Sequence, residues 1–125
     1  MPTDLASTLF LIGRLLFGGA FVFFGLRNLR NFQKLRPTMA EKGVPLPDVA
    51  LGLGLVTQTL AGLLILLGIL VPLGAAAMIV FLILATVLYH PYWKFAADAR
   101  GPHVSAFGIN TALCGGALLL IAATL

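Results

Sequence analysis

Few residues of this chain are equipped for chemistry, and all of them interrupt apolar sequence. Arg14 lies near the middle of an apolar run from about Leu5 to Leu26, and Gln58, Thr86, His90 and Asn110 punctuate three further runs. A guanidinium can clamp a phosphate, carboxylate or carbonyl oxygen with up to five N–H donors, whereas Gln and Asn each bring a single amide oxygen. All four acidic residues, Asp4, Glu41, Asp48 and Asp98, lie outside the interiors of the runs, so no carboxylate stands at the depth of Arg14. There is no nucleophile–base pair, phosphate loop or paired carboxylate, and no catalytic residue is assigned. His90 and His103 are separated by a loop and match no metal or haem motif, so no metal site is expected. The single cysteine, Cys114, excludes an intrachain disulfide and a C-x-x-C redox pair.

The elements that carry these residues follow from composition. Of 125 residues, 60% are hydrophobic and 10% charged, against about 25% charged in a soluble domain. Such a chain cannot cover a globule with polar groups, which excludes a cytosolic enzyme, a disulfide-stapled secreted domain and a nucleic-acid-binding module. The apolar stretches are continuous and do not alternate, so they read as membrane-spanning helices. Four fit, at about 5–26, 49–71, 73–90 and 104–125, the second and third joined by a short turn at Pro72. The expected fold is an all-α four-helix transmembrane bundle in one domain over 1–125. The start, Met1-Pro2-Thr3-Asp4, lacks a basic stretch and a small-residue cleavage site, so the first run is expected to be a retained span.

The net charge of +4 is unevenly placed: seven of eight basic residues fall in the two longer connections, Arg27, Arg30, Lys34, Arg36 and Lys42 in one and Lys94 and Arg100 in the other. The positive-inside rule then puts both connections in the cytoplasm and both termini outside the cell membrane. Leu26, Leu29, Phe32 and Leu35 alternate with Arg27, Arg30 and Lys34 at helical spacing. That pattern predicts a short amphipathic interfacial segment between the first two spans, with Arg27, Arg30, Lys34 and Arg36 at the membrane surface. Gly43 should stop it, Val44-Pro45-Leu46-Pro47 should be extended, and Asp48 is placed to cap the second span. Tyr92, Trp93 and Phe95 suit an aromatic belt. Gly108, Ala112 and Gly116, four apart, form a flat strip for a neighbouring helix or another subunit.

An arginine at mid-span costs about 2.5–3.5 kcal/mol on insertion scales, so its setting must relieve it. Arg14 shares a face with Ser7, Gly18, Phe21 and Gly25, which belongs inside the bundle. Gln58, Asn110, Thr86 and His90 extend a polar interior toward the basic connections, with Arg14 at its end. Three resolutions stand open: snorkelling to the headgroups, pairing with another subunit, or a bound lipid phosphate or quinone oxygen.

The chain resembles the DoxX family of small four-helix membrane proteins over nearly its whole length. The matching stretches are Gly13-Arg14-Leu15-Leu16-Phe17-Gly18 with Phe23-Phe24-Gly25, Lys42-Gly43-Val44-Pro45-Leu46-Pro47, Thr59 through Gly68, Ala85 through Trp93, and Asn110 through Gly116. The resemblance implies a four-helix membrane protein, in some cases a membrane component of redox systems such as thiosulfate–quinone oxidoreduction. A glutamate common in the family is Gln58 here, a lysine after the first span is replaced around Asn28, and a Lys-Asn pair is Ile109-Asn110. If Gln58 neighbours Arg14, Gln58→Glu should restore an internal ion pair.

Together these readings favour a non-enzymatic membrane subunit or scaffold with a polar pocket around Arg14, taking a quinone or lipid headgroup and no firmly assigned cofactor. The alternatives are a quinone-contacting subunit of a redox complex and, more weakly, a small-solute carrier. The expected partners are the lipid bilayer, a homo-oligomer or a larger membrane redox complex, and no nucleic acid.

Overall fold

The structure, a computed structural model, describes residues 4–125; the reading of Met1-Pro2-Thr3 lies outside them. The helices are α1 (Leu5–Arg30), α2 (Phe32–Glu41), α3 (Pro47–Leu67), α4 (Val71–Tyr89) and α5 (Ala97–Thr124), with one 3₁₀ turn at Tyr92–Lys94. The described residues contain no strand, and α1, α3, α4 and α5 are long and apolar enough to cross a bilayer. The protein is an all-α membrane helical bundle.

Each helix end has a local cause. Asp4 accepts the Ser7 N–H at 2.8 Å and caps α1. That contact holds the Asp4 carboxyl below its ordinary range. Gly43, at φ +72°, follows the end of α2, where the left-handed backbone favours glycine. Asp48 does not cap α3: it lies inside the first turn and pairs with Arg36, while Leu46 occupies the cap position in the left-handed region at φ 48°. Val44-Pro45-Leu46-Pro47 is therefore not extended throughout. Nor does Pro72 make the turn to the next span. It sits in the first turn of α4, where its missing N–H removes no helical bond, and the chain reverses over Gly68, Ile69 and Leu70 instead. Consequently α3 ends at Leu67, four residues before the expected boundary at Val71.

Packing runs α1 on α3, α3 on α4 and α4 on α5. The α1–α3 approach is the tightest. A Cβ at Gly18 would lie 2.5 Å from the Leu66 nitrogen and 2.7 Å from the Gly62 oxygen, and one at Gly62 would meet Val22 and Gly18 backbone in return. Two glycines facing each other thus let two backbones touch. The bundle closes on its last side through aromatic rings. Phe10 and Phe17 pack on the cluster of Ile65, Val71, Ala75, Ala117 and Leu120, and Phe17 and Phe21 join Met78, Leu82, Leu113 and Cys114 below it. Within the chain, only Gly116 of the small-residue strip meets a neighbour: a Cβ there would touch Phe17 at 3.4 Å, while Gly108 and Ala112 are exposed.

The amphipathic segment is real but divided, since α1 continues through the basic stretch to Arg30 before Asn31 breaks the helix. The apolar face of α2 packs against the bundle: Met39 is buried with Leu51 and Leu55, and Leu29, Phe32 and Leu35 lean on the same cluster. Arg27, Arg30, Lys34 and Arg36 remain exposed.

Candidate functional site

The five candidate polar residues do not share one pocket. The Gly18–Leu66 contact brings Arg14, one turn earlier in α1, level with the α3–α4 turn. A Cβ at Gly68 would lie 2.6 Å from Arg14 Nη1 and 2.8 Å from its Cζ, so the guanidinium rests on the bare backbone that this left-handed glycine (φ +74°) provides. It therefore stands at the turn end of the α3–α4 hairpin. The nine residues Leu5–Gly13 carry α1 about 13 Å beyond it.

This arrangement leaves a notch. A cavity of about 500 Å³ opens above the turn, walled by Ala6, Ser7, Phe10 and Leu11 of α1 and Ala123 of α5, with Arg14 in its lining. The Arg14 Nε is buried and finds no hydrogen-bond partner among the described residues. The carbonyl end of α3 lies beside it and carries about half a negative charge. That dipole offsets part of the guanidinium charge and leaves the rest for something else. A second cavity of about 450 Å³ begins at Gly13, the residue before Arg14, and follows α1 past Leu16, Phe17, Ala20, Phe21 and Phe24, with Leu113 of α5 on its other side. It is almost wholly apolar.

The other candidates are engaged by side chains away from Arg14. Gln58, 3% exposed, accepts from Asn28 Nδ2 at 3.3 Å. Thr86, also buried, accepts from Asn110 Nδ2 at 2.9 Å, tying α4 to α5. At the basic end, His90 Nδ1 and His103 Nδ1 stand 3.1 Å apart, a spacing that places one proton between two ring nitrogens, and His103 stacks on Phe95. No group of three or more His, Cys, Asp or Glu suited to a metal occurs among the described residues. Gln58 lies ten residues from Gly68, about 15 Å along α3, so an ion pair between Arg14 and a carboxylate at position 58 is out of reach.

Two partners escaped sequence reasoning. Asn28 lies in a basic stretch beyond the apolar run, and only the continuation of α1 to Arg30 carries it alongside Gln58. Gly68 has no polar side chain to betray it; its place at the end of an apolar run, where a helix cap belongs, is the one available signal.

Comparison with known proteins agrees with this architecture. The family model described as DoxX matches residues 9–91. The chain is 32% identical over 112 residues to the inner membrane protein YphA of Escherichia coli (strain K12), covering 90% of this chain and 80% of that protein. No solved structure matches. A bundle of four apolar helices, matched across more than half its length by one family and over most of its length to a relative, belongs to the DoxX family.

Proposed function

We propose that the protein is a non-enzymatic membrane subunit or scaffold whose Arg14 notch takes an oxygen-bearing headgroup from the lipid phase, a lipid phosphate or a quinone carbonyl. The observation that carries this reading is the buried, unpartnered Arg14 Nε beside a cavity of about 500 Å³. That volume falls within the range of about 300–1,000 Å³ usual for small-molecule sites. Placement follows from charge: the basic connections lie in the cytoplasm, so the notch opens in the outer leaflet of the inner membrane, the location given for the Escherichia coli relative.

The test is extraction of protein purified from native membranes, with mass spectrometry of the lipids and quinones it retains. A ligand present with the wild type and depleted in Arg14→Gln is the expected result. A folded preparation carrying neither refutes the reading, and a quinone as the retained species would direct the search toward a redox-complex partner. Single-cysteine labelling in a Cys114→Ser background tests the placement, with a cysteine at Lys42 expected to be inaccessible from outside.

A further inference from the structure

The charge at the notch meets no acidic side chain. Asp48 is committed to Arg36. Asp4 holds the Ser7 N–H at the cap of α1, ten residues or about 15 Å of helix from Arg14. Glu41 ends α2, and Asp98 opens α5 at the basic end. A neutral carbonyl would accept from the guanidinium and leave its charge uncompensated in a low-dielectric setting, whereas an anion would neutralise it. The head that fits is therefore anionic.

The seam below the notch adds a second specification. It runs along α1 from Gly13 to Phe24, eleven residues or about 16 Å, close to the hydrocarbon depth of one leaflet, about 15 Å. Its walls are apolar and aromatic, and it lies between α1 and α5, the pair joined through ring contacts and not backbone contact. We infer that notch and seam bind one amphiphile, with a phosphate-type anionic head on Arg14 and a single hydrocarbon chain between α1 and α5. The inference rests on the headgroup reading above and adds the charge of the head and the path of the chain. A free phosphate shares the head chemistry and lacks the chain.

Gly13 supplies the decisive variant. A Cβ there meets nothing within 4 Å, so Gly13→Leu fits the fold while its side chain enters the seam; Gly108→Leu adds the same bulk at an equally open position elsewhere. Delipidated protein is incubated with phosphatidylglycerol, with diacylglycerol bearing the same chains, or with inorganic phosphate. Retention is read by native mass spectrometry, and phosphate binding by the shift it gives in thermal unfolding. Wild type and Gly108→Leu should retain phosphatidylglycerol about tenfold or more over diacylglycerol. Gly13→Leu should lose about tenfold in retention with its response to inorganic phosphate unchanged, and Arg14→Gln should lose both.

Equal retention by Gly13→Leu and Gly108→Leu overturns the chain path, while Arg14-dependent retention would leave the headgroup reading standing. Diacylglycerol or a quinone held as tightly as phosphatidylglycerol overturns the anionic head. Retention indifferent to Arg14, or none by the wild type, overturns both readings. Should Arg14→Gln fail to fold, the Gly13→Leu comparison and the lipid series still decide the outcome.

Discussion

Replacing Gly18 by alanine sets two physical effects against each other, and the structure says which wins. In an exposed helix interior the change would stabilise α1 by about 0.5–1 kcal/mol, because glycine loses more backbone freedom on folding. At position 18 the new methyl would stand 2.5 Å from the Leu66 nitrogen and 2.7 Å from the Gly62 oxygen. Both are backbone atoms of a neighbouring helix, so no side chain can swing aside. Relief requires α1 and α3 to part by about 1 Å, the shortfall from ordinary van der Waals contact near 3.5 Å. Overpacking of this kind costs about 1–3 kcal/mol. The net expectation is destabilisation by about 0.5–2 kcal/mol, with more for Gly18→Val.

The assay is reversible unfolding in mixed detergent micelles, with Gly108→Ala as the control, since a Cβ at Gly108 meets nothing. The control should be neutral to slightly stabilising. Because Arg14 is one turn from Gly18 and rests on Gly68, parting the helices should also loosen the notch and lower ligand retention. Gly18→Ala more stable than wild type, in line with the control, would refute the backbone contact between α1 and α3 and with it the placement of Arg14.

Three further outcomes are expected. Gln58→Glu should destabilise the bundle by about 1–3 kcal/mol, the cost of burying a group that Asn28 alone cannot satisfy. A double-mutant cycle of that change with Arg14→Gln should give a coupling below about 0.5 kcal/mol, and a larger value would bring the two residues together. Gly68→Ala places a methyl against the guanidinium and forces alanine to φ +74°, a backbone cost of about 1–2 kcal/mol read in the same unfolding assay. The Asp4 carboxyl is held low by Ser7, so its cap is intact at neutral pH and is lost as pH falls below about 4. Amide protection in the first turn of α1, taken relative to the intrinsic exchange rate at each pH, should fall in that range in the wild type, and Asp4→Asn should remove the dependence.

How much of this was legible beforehand depends on whether a feature is local. The spans were readable because uninterrupted apolar runs admit one solution in lipid, and the break at Gly43 because its backbone conformation favours glycine. The α3–α4 turn was misread because proline is a breaker only inside a helix: in the first turn of α4 Pro72 costs nothing, and the capping duty fell to Gly68. The neighbour of Arg14 was not legible at all. Counting along α1 gives its place in the span, but what it meets is set by the offset between α1 and α3, which rests on the meeting of Gly18 with Gly62 and Leu66. That same offset carries Asn28 to Gln58. A pairing register between helices depends on which small residues face each other, and the chain offers 14 glycines from which to choose.

The two ends of the bundle handle buried polarity differently, and the proposed site rests on that difference. Toward the basic connections three pairs of polar side chains meet: Asn28 with Gln58, Asn110 with Thr86, His90 with His103. Paired side chains of this kind fix how helices register. At the far end a charged group with five donors is set on a glycine beside a cavity, with its Nε unanswered. An unpaired buried donor costs about 1–3 kcal/mol, more when charged. A bundle that satisfies three polar pairs elsewhere has the means to satisfy a fourth, and the unpartnered Arg14 Nε is the exception on which the proposed headgroup site rests.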